Sequence, residues 1–241
     1  EHREKIGAEL DMISGGQEKI DALKTELEEL GSILSALAAD LANKREQAAK
    51  RMQKVVEKEL RDLSMNQARF AVNFQYPPDP DSFAVYKNKK VKVSLNGIGA
   101  SEFFFSSNPG EELRPLAKIA SGGEISRVML ALKSILNDQE ATPTMIFDEV
   151  DSGISGKVAE QVGVKLKKIA KEKQVFSITH LPQIAGMASA HYLVHKAVKG
   201  KRTQTMILEL DYEHRVEEIA RMSGGEKISA TTLRHAKEMI K

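Results

Sequence analysis

The apolar residues Ile20, Leu23, Leu27, Leu30, Leu34, Leu37 and Leu41 follow one another in alternating steps of three and four. On a helix this spacing gathers all seven into one narrow stripe with a 3.5-residue period, the repeat of a coiled-coil seam. A helix lying on a globular core shows a wider apolar face with a 3.6-residue period instead. The first part of the chain is therefore expected to be a coiled-coil arm that needs an antiparallel partner helix. The seam weakens after Leu41, where Lys44 takes the next core position, while helix formers continue through Val55, Val56, Leu60 and Leu63. Ser14-Gly15-Gly16 is expected to interrupt the helix, leaving residues 1–16 as a tail or the end of a hairpin.

Near Met65 the pattern changes. Ala71-Val72-Asn73-Phe74-Gln75-Tyr76 alternates, Pro77-Pro78-Asp79-Pro80 breaks the run, and two further alternating runs flank Asn88. Strands are expected near 69–76, 82–87, 90–96 and 102–106, as a small antiparallel sheet. Beyond a loop rich in Ser, Asn, Pro and Gly, Ile125, Val128, Met129, Leu132, Ile135 and Leu136 recur at helical spacing. A strand at 144–148, a helix over 156–172, a strand at 174–179, a short helix at 182–189, two strands at 191–196 and 203–210 and two closing helices complete the order. Strands alternating with helices imply an α/β fold whose parallel sheet is covered on both faces. The division expected is an arm over 1–64 and a globular part over 65–241.

Composition excludes several classes. No cysteine is present, and six scattered histidines offer no paired ligand spacing, so disulfides and thiolate zinc are out and any metal would take oxygen ligands. No apolar run approaches the length needed to cross a bilayer, and the first residues, Glu1-His2-Arg3-Glu4-Lys5, do not resemble a signal peptide, so no membrane partner and a cytoplasmic location are expected. A net charge of +2 does not by itself mark a nucleic-acid binder.

Three segments carry chemistry. Thr144-Met145-Ile146-Phe147-Asp148-Glu149 is a short apolar strand ending in two carboxylates. At the end of a parallel strand Asp148 can meet a magnesium ion on nucleotide phosphates, while Glu149 faces the space beyond the terminal phosphate. This is the form of a Walker B strand with a catalytic acid, although an Asp-Glu pair alone also opens ordinary loops. The residues that follow, Val150-Asp151-Ser152-Gly153-Ile154-Ser155-Gly156, resemble the D-loop of ABC ATPases, where two heads meet. Ser121-Gly122-Gly123-Glu124 leads into a helix. It reads as a capping box and also as an anion site, since glycines let backbone N–H groups at a helix start lie against a phosphate. In ABC heads such a signature touches the nucleotide of the opposite head. Two similar strings, Ser14-Gly15-Gly16-Gln17 and Ser223-Gly224-Gly225-Glu226, stand outside that context and read as structural. The strand Val175-Phe176-Ser177-Ile178-Thr179-His180 ends in a histidine that is either a polar cap or, about thirty residues after Glu149, similar to the ABC switch histidine. A Walker A loop, Gly-x-x-x-x-Gly-Lys followed by Ser or Thr, is absent from the 241 residues, so an N-terminal lobe carrying it is expected to come from elsewhere.

An arm followed by signature, Walker B, D-loop and switch histidine is the order of the C-terminal half of SMC-like proteins. Within that group, the segments from Phe105 to Arg127, from Phe147 to Gly156 and from Thr179 to Ala185 resemble the RecN family of bacterial repair ATPases. The match is dense over about 103–240 and looser over 17–102. The resemblance implies the C-terminal lobe of an ABC/SMC-type P-loop ATPase head joined to a long coiled-coil helix. It further implies ATP and Mg2+ as cofactors, a homodimer through the heads, and DNA bound without sequence preference. The residues it assigns are Glu149 and His180 for catalysis, Asp148 for the metal, and Ser121, Gly122, Gly123, Glu124, Asp151 and Ser152 for nucleotide.

Two other functions fit parts of this pattern. The nucleotide-binding subunit of an ABC transporter shares the signature and Walker B but has no arm interrupting its head, and a coiled-coil adaptor would need only the arm. The uninterrupted seam disfavours the first, and three ordered segments disfavour the second. For DNA, the basic groups are Lys87, Lys89, Lys90 and Lys92; Lys165, Lys167, Lys168, Lys171 and Lys173; and Lys196, Lys199, Lys201 and Arg202. Such groups bind by neutralising phosphates, with strong salt dependence.

Overall fold

The computed structural model describes residues 2–119, 121–139, 141–199, 202–225 and 228–240. By internal contacts it divides into two units, Glu1–Gln53 with Ala71–Phe104, and Lys54–Phe70 with Phe105–Lys241. Among the described residues no helix is long and apolar enough to cross a membrane.

The first unit is built on α1 (His2–Asp62), a helix of 61 residues whose last turns belong to the second unit. It passes through Ser14-Gly15-Gly16 without a break, so the expected interruption is corrected. A helix-interior glycine costs only about 1 kcal/mol against alanine, which helix-forming neighbours such as Gln17, Glu18 and Lys19 offset. The leucine seam stands open: its seven residues are 38% to 64% exposed. A second seam, one residue further round the helix, packs instead. It consists of small residues, Gly31, Ser35, Ala38 and Ala42, which let a sheet approach closely.

The strands are short, β1 (Arg69–Gln75), β2 (Val85–Tyr86), β3 (Lys89–Lys90), β4 (Val93–Ser94), β5 (Gly97–Ile98) and β6 (Ala100–Ser106), and the expected four-stranded sheet is replaced by separate two-stranded pairs, β2 with β3 and β4 with β5. The expected strands at 82–87 and 90–96 shrink to two-residue pieces because two tight turns follow each other closely. β2 pairs with β3 through a loop in which Lys87 and Asn88 both have positive φ, 49° and 64°. This is the left-handed pair of a type I′ turn, comfortable for Asn and strained for Lys. β4 pairs with β5 across Leu95-Asn96, and Gly97 takes a φ of 90° that a side chain would resist. Ala38 and Ala42 are buried with Ala84, Tyr86, Val91 and Ile98. Ser35 Oγ accepts from the Val85 N–H at 2.9 Å, and Arg45 donates to the Asn96 carbonyl at 2.8 Å. Tyr86 donates to Asn43 and Tyr76 to Glu46, each at 2.9 Å. Lys87 also reaches Glu46 at 2.7 Å, with its ammonium over the Tyr76 and Tyr86 rings. Burial first and the Glu46 carboxylate second push the Tyr76 hydroxyl far above its ordinary pKa.

The second unit contains β7 (Arg114–Pro115), α2 (Gly122–Leu136), β8 (Thr144–Phe147), α3 (Gly156–Ile169), β9 (Gln174–Ser177), α4 (Pro182–Ala185), β10 (Tyr192–Lys199), β11 (Arg202–Glu209), α5 (Tyr212–Gly224) and α6 (Ala230–Met239). One three-stranded sheet has the order β1-β6-β7, β10 pairs antiparallel with β11, and β8 pairs parallel with β9. The expected parallel sheet is thus two strands wide. Met145 and Phe147 are buried, but Ile146 and Ile178 are 69% and 59% exposed and Phe176 44%. Side chains alternate across a strand, so one face is covered and the other is open, a correction to a sheet covered on both faces. Val56 and Leu60 from the end of α1 and Leu63 just beyond it are fully buried here, as are Val128 and Leu130 on α2 and Val162 on α3.

α4 is a single turn and not the helix expected over 182–189. A Cβ on Gly186, which closes this turn, would lie 2.7 Å from the Met239 carbonyl, so glycine admits the end of α6 there. The carbonyls the turn frees are taken by Arg215, 8% exposed, whose guanidinium donates to Ala185 and Gly186 at 3.2 Å, to Ser189 at 3.5 Å and to Ala188. Burial lowers its pKa from the ordinary arginine value. Gly225 closes α5 with φ 76° and an N–H bond to the Arg221 carbonyl, so the third Ser-Gly-Gly string serves as a helix cap. Glu226 of that string and Lys201 of the third basic group lie outside the described residues.

Candidate functional site

β8 and β9 run parallel with Phe147 opposite Ser177, which puts Asp148 and the segment Ile178-Thr179-His180 at the same carboxyl edge. In open α/β sheets ligands gather beyond that edge. Asp148 is exposed there, and its carbonyl accepts from Ser126 Oγ at 2.7 Å. Glu149 follows with φ 56°, a left-handed conformation that a non-glycine residue holds only under the pressure of its surroundings. The turn is closed by the Ser152 N–H, which donates to the Glu149 carbonyl at 3.0 Å.

α2 begins beside this turn. Ser121 caps it, its Oγ accepting from the Glu124 N–H at 3.4 Å, which is the serine half of the expected capping box. A Cβ on Gly122 would collide with Glu149 Oε2, and one on Gly123 would lie 2.8 Å from Ser152 Cβ and 3.2 Å from the Ser152 carbonyl. The two glycines therefore admit the carboxylate and the following loop to the first turn of the helix. Arg127 locks this arrangement by donating to the Ser152 carbonyl at 2.6 Å. Burial draws its pKa below the ordinary value, with Glu124 acting in the opposite direction.

Asp151 is turned inward and is 3% exposed. Its Oδ2 receives the Thr179 hydroxyl at 2.5 Å and the His180 N–H at 2.9 Å, and lies 3.1 Å from His180 Nδ1. Thr179 Oγ1 accepts in turn from the Leu181 N–H at 3.1 Å. The His180 ring is 74% exposed. Ser121, Gly122, Gly123, Glu149, Asp151, Ser152 and His180 are thus brought into one linked neighbourhood, with Asp148 at its edge and Glu124 half-buried on α2. Sequence reasoning gave no role to Ser126, Arg127 or Thr179. The first two lie one helical turn beyond the glycines, a spacing that could have marked them as facing the same loop.

Among the described residues no group of three or more His, Asp or Glu side chains is placed to hold a metal. A magnesium ion on a nucleotide takes only one or two carboxylates and completes its shell with phosphate and water, so a single exposed Asp148 fits that ion. The basic groups are partly committed to the fold. Lys165 pairs with Glu59 and Asp62, Lys173 donates to the Thr142 carbonyl, and Lys90 donates to the Pro80 carbonyl.

No family model matches the chain. Along its whole length it is 38% identical to the DNA repair protein RecN of Bacillus subtilis and 37% identical to that of Vibrio cholerae. Over its whole length the chain is similar to the RecN proteins. It spans about two fifths of their length, covering 42% and 41% of these two relatives. A solved Smc head domain with a coiled coil and joint from Pyrococcus yayanosii shares this chain's fold, with a TM-score of 0.54 at 16% identity over 88% of this chain and 36% of that one. An SMC-type head with a coiled-coil helix is therefore the architecture, as the resemblance implied.

Proposed function

We propose that this chain is the signature-bearing lobe of a RecN-type ATPase head, which binds and hydrolyses ATP between two dimerised heads in the repair of DNA double-strand breaks. One observation carries the reading: Asp148-Glu149 and His180 follow two parallel strands to the same carboxyl edge, where Asp151 is bound to Thr179 and His180. The names of the RecN relatives support the repair role.

In this reading Asp148 holds Mg2+, which offsets charge on the phosphates. Glu149 accepts a proton from the attacking water in its own head. Ser121, Gly122 and Gly123 offer the N-terminus of α2, a site suited to anions, to the terminal phosphate held by the opposite head, flanked by Glu124 and Ser152. The phosphate-wrapping loop comes from an N-terminal lobe. Two facts support that lobe: the 241 residues lack the Walker A pattern, and Ile146, Phe176 and Ile178 leave an apolar sheet face open. The leucine seam takes an antiparallel helix, DNA binds through phosphate contacts to exposed lysines, and the protein works in the cytoplasm at the nucleoid.

The test compares this chain with the full-length protein. Full-length protein carrying Glu149→Gln is expected to bind ATP and to lose turnover, and this chain alone to show none. Steady hydrolysis by the 241-residue chain, abolished by Glu149→Gln, would overturn the composite site.

A further inference from the structure

The environment of His180 fixes more than its position. Asp151 is buried, and an ionised carboxylate can only accept hydrogen bonds. Two donors, the Thr179 hydroxyl and the His180 N–H, already converge on its Oδ2, and His180 Nδ1 stands 3.1 Å from the same atom. A bare Nδ1 would set its lone pair against a carboxylate oxygen at that distance. A proton on Nδ1 turns the approach into an attraction. A neutral imidazole carries one N–H, so the other nitrogen is then an acceptor, and the ring that carries it is 74% exposed.

We propose that Asp151 is a positioning residue that holds the exposed His180 ring in its Nδ1–H form and presents Nε2 outward as a hydrogen-bond acceptor. In this assignment the Asp151 carboxylate is engaged within its own chain, on Thr179 and His180. The consequence for chemistry rests on the reading of His180 as part of the nucleotide site. A phosphate oxygen is also an acceptor, so the neutral ring cannot donate to it. It can accept from the attacking water or from a protonated phosphate, and donation to a phosphate oxygen requires a second proton on the ring.

The tautomer is read directly from long-range 1H–15N correlations of this chain labelled in its histidines, recorded at pH 8, above the ordinary histidine pKa of about 6.5. The His180 signals are those lost in His180→Gln. Wild-type protein is expected to show a protonated Nδ1 and an unprotonated Nε2. In Asp151→Asn, which keeps the shape but offers an amide in place of one oxygen, the ratio of the two forms should invert, as a wrong tautomer follows when Asn replaces an orienting Asp in a hydrolase triad. An Nε2–H ring in the wild-type chain, or a ratio unchanged by Asp151→Asn in a folded protein, overturns the assignment. Should Asp151→Asn not fold, the wild-type spectrum alone decides. An Nδ1–H ring in a full-length protein that hydrolyses no ATP would leave this assignment standing and sink only the nucleotide reading.

Discussion

Two seams run along α1 one residue apart, and opposite responses to substitution are expected of them. Leu30 and Leu34 are 56% and 42% exposed, so about half of each side chain already meets water. Full burial of a leucine is worth about 1.5–3 kcal/mol, and Lys matches Leu closely in helix propensity while its methylene stem covers similar surface. The double substitution Leu30→Lys, Leu34→Lys should therefore cost the isolated chain less than about 1 kcal/mol, given the exposure already present. Ala42 is 1% exposed and packed with Ala84, Tyr86, Val91 and Ile98. Ala42→Leu adds three carbons where there is no room, which costs about 1–3 kcal/mol.

In a chain of this size 1 kcal/mol shifts the melting temperature by roughly 2–4 °C. Near-ultraviolet circular dichroism of the tyrosines, two of which meet in this unit with centroids 4.7 Å apart and ring planes tilted by 47°, follows the transition. Melting should fall by several degrees for Ala42→Leu and hardly move for the leucine pair. Sedimentation at high concentration should show the leucine pair alone reducing helix association. A large drop in melting for the leucine pair, with Ala42→Leu unchanged, would refute the assignment of the two faces.

Three further outcomes are expected. Arg215→Met removes the donor shared by four carbonyls and should cost about 2–4 kcal/mol, seen as a lower urea midpoint at an unchanged slope. Glu149→Gly relieves the left-handed φ of 56° and should stabilise the chain by about 1 kcal/mol, an effect that Glu149→Ala should not reproduce. The cap of α5 should be pH-dependent. His214 lowers the pKa of Asp211 below 3.8, so that contribution is present above this value and fades as pH falls through the depressed pKa. Asp211 raises the pKa of His214 above 6.5, so the second contribution is full below 6.5 and is lost as pH rises through the raised pKa. Amide protection relative to the unstructured chain at the same pH should be greatest in the first turn of α5 between pH 3.8 and 6.5, and Asp211→Ala should abolish the window.

The sequence by itself determined those features that depend on neighbours in the chain. Leucines in steps of three and four specify one stripe on a helix, and the stripe is there, open along its length. The apolar residues Met145, Ile146 and Phe147 before Asp148, and Val175, Phe176 and Ile178 before His180, specify two strands, which pair in parallel. The segments from Phe105 to Arg127, from Phe147 to Gly156 and from Thr179 to Ala185 carried the family resemblance for the same reason, since a string of residues survives without coordinates. What only the tertiary structure decided depends on partners tens of residues away. The small seam of Gly31, Ser35, Ala38 and Ala42 matters because residues 83–98 fold back onto it, and no local pattern states which helix face a distant sheet will choose. Lys165 looks like any surface lysine until Glu59 and Asp62 meet it. Asp151, which the resemblance assigns to nucleotide, turns inward where Thr179 and His180 supply donors beyond the end of the next strand. A carboxylate takes its role from the donors that surround it, and those are assembled only when the chain has folded.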